Sequence, residues 1–414
     1  MRLRMVAVAV MTGALVLMGA STANADTEGH WWEVSDWTFS PPASTAAVAV
    51  PGSVGFPAAE LVSNTAGPSG PATGASAWLG AWTAPGEVYG SSQNQQYLSL
   101  RPAANNAASP STSTYTFEHP TPAGGWMLAV GDIDAEFLDV SALDADGAPV
   151  PISELGFGST FNYCDGSPRP STCGASRPWL VPDWDSTTGR LAGPSEDENG
   201  EEIPGWTDSD GAAAWFEPTV SLSQITVTAT WREGFPAYQT WSAALSRDVT
   251  GTVGSADACE VEGLEVTIRR GTDDVATTTT DDQGQFGFDD LATYDDYVVT
   301  IEPGEGCRVV GPTETAVDLS ENDGVVNVEL ETVPDDEGPG TGEPGDDAPA
   351  GQDGSRTSGA GTVPATQVLP DVGAPSSGLM GLGVALVLLG LLTLAVGLGV
   401  PPSRRRTPLP ASAR

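Results

Sequence analysis

Short runs in which apolar and polar residues alternate recur along this chain, and no stretch carries the 3.6-residue rhythm of an amphipathic helix. Residues 115–117, 126–130, 137–142, 225–231 and 238–245 all read this way, with Gly, Pro and Asp between them. Alternation at period two puts one face of an extended segment into a core and the other into water. Many such segments closed by turns predict an all-β chain.

Twelve tryptophans fall between Trp31 and Trp241, and none follows. That break predicts a Trp-rich head over 26–248, a β-sandwich for which a jelly roll is one specific form. Within it, residues 158–215 lose the alternation and read as a long loop. Residues 249–332 hold shorter strands at regular spacing around the turn Asp281-Asp282-Gln283-Gly284, which predicts a small antiparallel sandwich. Residues 333–368 are acidic and rich in Pro and Gly, with too little apolar surface to offset the cost of ordering, and read as a disordered linker.

The two ends set the compartment. Residues 1–25 have arginines at 2 and 4, an apolar stretch and Ala23-Asn24-Ala25, the pattern of a signal peptide. Residues 378–400 form an uncharged apolar run, long enough as a helix for roughly 30 Å of hydrocarbon. Arg404, Arg405 and Arg406 follow and should stay inside, leaving the upstream chain outside.

Four cysteines in the exported part then imply disulfides, and their order suggests Cys164 with Cys173 and Cys259 with Cys307. A thiol metal site lacks both CxxC spacing and enough histidine. The formal charge of −39, from 55 acids against 16 basic residues, repels nucleic acid and anionic lipid. None of the basic residues is lysine.

Leu369-Pro370-Asp371-Val372-Gly373, the apolar run and the basic tail together resemble the sorting signal of Gram-positive surface proteins carrying LPXTG. That resemblance implies a sortase as partner, cutting after the fourth residue and joining it to the wall. Here Val372 stands where the family has Thr, so the hydroxyl is lost while the β-branched shape is kept. Wall attachment and a plain transmembrane helix at 378–400 both remain open, and both put the body of the protein at the cell surface.

Residues 249–332, above all the "TTTTDDQGQFGFDDL" segment, resemble the B-type, prealbumin-like repeat of Gram-positive adhesins and its carboxypeptidase-regulatory-like relatives. The resemblance implies a stalk module. Many such modules carry a Lys–Asn isopeptide bond, which is impossible here despite Asn327, and the lack of lysine likewise removes the nucleophile of a pilus shaft subunit. The stretches "GWMLAVGDIDAEFLDVSALDADG" and "AAAWFEPTVSLSQITVTATWREGFPAYQTW" resemble an exported sandwich found upstream of such modules, which bears on architecture alone.

Candidate chemistry is sparse. Asp132, Asp134 and Glu136 alternate, so an extended chain would put three carboxylates on one face, where a calcium ion would relieve their repulsion; a solvated loop is the other reading. Asp144-Ala-Asp-Gly147 reads as a hairpin turn, since no bidentate Glu completes an EF-hand loop. Trp31, Trp32, Trp37, Trp78 and Trp82 could form a sugar-stacking platform or simply be core. No G-x-S-x-G or H-E-x-x-H motif occurs. The expected function is therefore non-enzymatic adhesion or ligand display at the surface, toward an unidentified protein or glycan. A carbohydrate-binding module or glycan-active enzyme, and a structural envelope protein, are the alternatives.

Overall fold

A computed structural model of the chain describes residues 29–334, apart from 68, 175–178, 198, 204–208 and 257. The leader, nearly all of the linker, the Leu369–Gly373 motif and the apolar run at 378–400 lie outside the described residues. The described part is all-β, in two sandwiches.

The head packs two sheets face to face. One runs, in spatial order, Asp183–Asp185, Arg190–Ala192, Glu136–Asp144, Leu222–Trp231, Ser111–Phe117, Ala59–Ser63, Ser44–Ala49 and Glu33–Thr38, antiparallel throughout. The other has Phe157–Asn162, Ala212–Phe216, Trp126–Gly131 and then the 18-residue strand Tyr238–Ser255. Gln96–Leu100 and Gly29–Trp31 pair along the free side of that long strand. Between the sheets lies a core that includes Trp32, Leu61, Tyr115, Trp126, Leu138 and Phe216. Hydroxyls bridge it, Tyr238 to Ser113 at 2.9 Å and Tyr115 to Thr240 at 3.0 Å, so the buried phenols keep partners.

A second core covers the outer face of the long-strand sheet. Trp31, Leu79, Tyr89, Tyr97, Met127, Tyr163 and Trp241 meet there, under a layer that carries the short helix Ala84–Tyr89 and the Cys164–Cys173 loop. Nor are residues 158–215 one long loop. Phe157–Asn162, Asp183–Asp185, Arg190–Ala192 and Ala212–Phe216 are strands. Ala212–Phe216 is buried on both faces, so it reads as a continuous apolar run without alternation. The helix, too, escaped the period-two reading; its signal is local, Thr83 accepting from the Gly86 amide with Pro85 in the first turn.

The boundary drawn at 248/249 falls inside the long strand, with no linker there. Its first part belongs to the head; from Ser246 it pairs with Gln285–Ala292 on one side and Gly324–Thr332 on the other. The second of these pairings is parallel, which departs from the antiparallel sandwich expected. Cys307–Val309 closes that sheet, and Asp273–Thr279, Glu265–Arg270, Tyr297–Ile301 and Glu314–Val317 make the facing one. Val249, Val266, Ile268, Phe286, Phe288, Leu291, Tyr297 and Leu330 form the core between them. The Asp281 turn is as expected: its carboxylate accepts the Gln283 and Gln285 amides at 2.9 and 2.8 Å. Gly284 sits at φ 72°, where a Cβ would meet the Val253 carbonyl.

Candidate functional site

Both cysteine pairs are closed. Cys164–Cys173 spans 5.6 Å between Cα atoms and Cys259–Cys307 spans 6.0 Å, and no cysteine is free. The first ties down the outer layer of the head. Trp82 lies over that loop, since a Cβ on Gly166 would run into its indole ring. The second fixes the loop leaving the long strand to the edge strand Cys307–Val309.

The five tryptophans do not make a platform. Trp31 and Trp32 are neighbours on an extended chain, so they point to opposite faces and enter different cores, at 7% and 3% exposure. Trp78 is buried as well, and Trp37 and Trp82 are half-buried. Burial of large aromatic area outweighed display here.

Nor does the structure align Asp132, Asp134 and Glu136 as a cation cage. The extended chain that would align them is broken by a turn, with Asp132 in the left-handed region at φ 62°. Glu136 instead opens the strand Glu136–Asp144 and is fully buried. Neither of its oxygens makes a sound hydrogen bond, the Ala135 amide offsetting only a little of the cost. Burial first, then the charges of Asp134 and Asp132, push its carboxyl well above the usual range. Among the described residues no three His, Cys, Asp or Glu side chains are grouped to hold a metal ion. At Asp144 the carboxylate accepts the Asp146 and Ala148 amides at 2.9 and 2.8 Å, as a hairpin turn requires.

One constellation had no sequence signal. His30, Ser246 and Asp290 meet where the two sandwiches join, His30 Nε2 lying 3.0 Å from Ser246 Oγ, which donates to Asp290 Oδ1 at 3.1 Å. The residue types are those of a hydrolase triad, but the connections are not. With its proton on Asp290, the Ser246 hydroxyl can only accept from His30, so Nε2 carries the hydrogen and is no base toward it. Asp290 lies 3.4 Å from the same nitrogen, not from Nδ1, which is pressed against Gly52.

The group is one of several clasps at the joint. The Val54 amide donates to the Asp290 carbonyl and the Ala292 amide to the Val54 carbonyl, at 2.6 and 2.8 Å. Thr293 Oγ1 reaches the Gly124 carbonyl at 3.2 Å and Tyr294 the Pro120 carbonyl at 2.8 Å. Phe56 packs against both the inner head core and the core of the second sandwich. With a strand running through it as well, this joint resists bending.

The far end of the head follows from register. Along the long strand, Tyr238 pairs with Leu100 and Gln239 with Gly131, whereas Leu245, next to the joint, pairs with Gly29. Tyr238 to Val249 covers about 36 Å at the usual rise. The loops 64–67, 101–110, 132–135 and 232–237 therefore gather at the tip opposite the second sandwich. Among the described residues no helix is long and apolar enough to cross a membrane.

These features define an all-β chain in which a three-layered head and a disulfide-bonded sandwich share one strand. No protein-family model matches it, and no curated protein does. Solved structures it is similar to include BcpA, the major pilin subunit of Bacillus cereus, at 10% identity and TM-score 0.17, over 55% of this chain and 66% of that one. This chain thus spans just under two thirds of the BcpA chain. The Bacillus anthracis TIE protein has 11% identity and TM-score 0.18 over 76% of each chain. The Corynebacterium diphtheriae major pilin SpaA has 7% identity and TM-score 0.19 over 70% of this chain and 81% of that one. Likeness at this level decides nothing about function, which rests on the residues themselves.

Proposed function

We propose that this is an exported protein held at the cell surface by its C-terminal segment, whose head is presented for non-enzymatic adhesion or ligand display. The observation that carries the reading is the state of the cysteines. All four are paired, as a chain bearing a leader at one end and a sorting-type tail at the other should have them outside the cytoplasm. A joint stiffened by a continuous strand suits a protein that must hold its tip away from its attachment point. Sortase is the partner that the Leu369–Gly373 motif implies.

Cell fractionation tests this. Wall-digesting enzymes should release the chain from intact cells with its leader removed and its thiols oxidised. Release of the full-length chain by detergent alone would instead mean a membrane helix without processing at Val372. Recovery from the cytosol, with reduced thiols and an uncleaved leader, would end the reading.

A further inference from the structure

At the tip of the head, an open cleft of about 280 Å³ lies between the loops 66–67, 101–105 and 235–236. Three features set it apart. Phe235 projects into it at 86% exposure, the most exposed large apolar side chain among the described residues. Arg101, which also lines the cleft, is exposed and makes no side-chain hydrogen bond, ion pair or ring contact among the described residues.

That sets it apart from the other arginines among the described residues. Arg190, Arg269, Arg270 and Arg308 each hold a carboxylate, and Arg169 lies over Trp179. With 55 acids in the sequence, an arginine that holds no carboxylate among the described residues leaves its guanidinium fork free to pair with an anion. Its backbone is nonetheless fixed. The Arg101 amide donates to Ser69 Oγ at 3.0 Å and its carbonyl accepts from the Ala66 amide at 2.9 Å. The third feature is Asn105 on the rest of the wall, whose side-chain amide is suited to hydroxyls.

We infer that this cleft binds a single carboxylate-bearing sugar at the end of a glycan. The guanidinium pairs with the carboxylate, the Phe235 ring covers the C–H face of the sugar, and Asn105 bonds a hydroxyl. The volume suits one ring, just below the range of sites for larger ligands. The net charge selects among anions: a surface at −39 repels a run of acidic groups, as in an acidic peptide or a sulfated polymer, far more than one carboxylate placed beside Arg101.

The inference deepens the adhesion reading and rests on it only for biological purpose. Its test uses the purified chain, so it fails or succeeds independently of where the protein is anchored. The full-length chain, purified oxidised in detergent, is titrated with sialyl- and glucuronyl-terminated oligosaccharides and with the same sugars reduced to the alcohol. Acidic sugars should bind at least ten-fold more tightly than their neutral counterparts. Arg101→Gln should abolish that preference, and Phe235→Ala should weaken both kinds several-fold. Arg308→Gln, on the second sandwich, should change nothing. Near-ultraviolet circular dichroism of each variant should match the parent. Equal affinity for acid and alcohol, an Arg101→Gln variant as good as the parent, acidic peptides that compete equally well, or no binding of acidic sugars at millimolar concentration would each overturn the assignment.

Discussion

The head and the second sandwich share a strand but hold their layers together differently. The head puts large aromatic residues into two cores, one on each side of the long-strand sheet, with Trp126 and Trp241 at 1% and 0% exposure. The second sandwich has one smaller core, no tryptophan, and a disulfide from Cys259 to Cys307. Burial scales with the number of layers, so a two-layered unit of this size has little to spare and a crosslink contributes a large share of its stability. Where the resembled modules use a Lys–Asn bond, Asn327 here accepts only a hydrogen bond from Thr252, at 2.6 Å.

The comparison breaks most sharply at a core tryptophan. Trp126→Ala, which empties a buried site between the head sheets, should cost about 3–5 kcal/mol, read as a drop in the head's thermal midpoint. If the sandwiches were independently stable, the second would keep its own midpoint in the same calorimetric scan. The shared strand and the Phe56 contact instead predict that it falls as well.

Removing Cys259 and Cys307 together, as serines, should destabilise the second sandwich by about 4 kcal/mol on the chain-entropy account. Removing Cys164 and Cys173 should cost about 2.7 kcal/mol, because that loop is shorter. Denaturant melts of the two double variants test the order. Equal losses would mean that the crosslinks act through the folded state.

A smaller effect concerns Glu136. Its carboxyl keeps its proton to higher pH in the folded protein than in the unfolded chain, for which 4.5 is the reference. The group's contribution is thus complete below that value and declines as pH rises toward the folded pKa. Glu136→Gln has no such loss, so its advantage over the parent should grow by about 1.4 kcal/mol per pH unit through that window. A pH-independent difference would show that Glu136 is charged and paired in the fold. Smallest is Tyr294→Phe, which removes the bond to the Pro120 carbonyl across the joint and should cost about 1 kcal/mol. Faster amide exchange at Val54 and Ala292 would report the loosened joint.

Legibility followed the number of faces a strand buries. Ser111–Phe117, Leu222–Trp231 and Tyr297–Ile301 alternate because one side meets a core, and their positions could be read directly. Ala212–Phe216 could not, since a third layer covers its other face. The boundary between sandwiches is visible as a change in tryptophan content, yet nothing local in Ser246-Arg247-Asp248 says that one strand continues through it. The candidate sites were the hardest. Residue type alone suggested carboxylates at 132–136 and tryptophans near 31–82, but a left-handed turn at Asp132 and burial of Trp31, Trp32 and Trp78 decided otherwise. Phe235 and Arg101 are 134 positions apart in the sequence and carry no motif.

By itself the sequence determined the all-β class and the cysteine partners, because alternation and loop-scale spacing are local properties of a chain. Which tryptophans are hidden, that the sandwiches share a backbone strand, and that Arg101 and Phe235 line one cleft were decided only by the tertiary structure. Each depends on which distant segments pack together, and the free energy of that packing is a property of the assembled layers that no short stretch of residues contains.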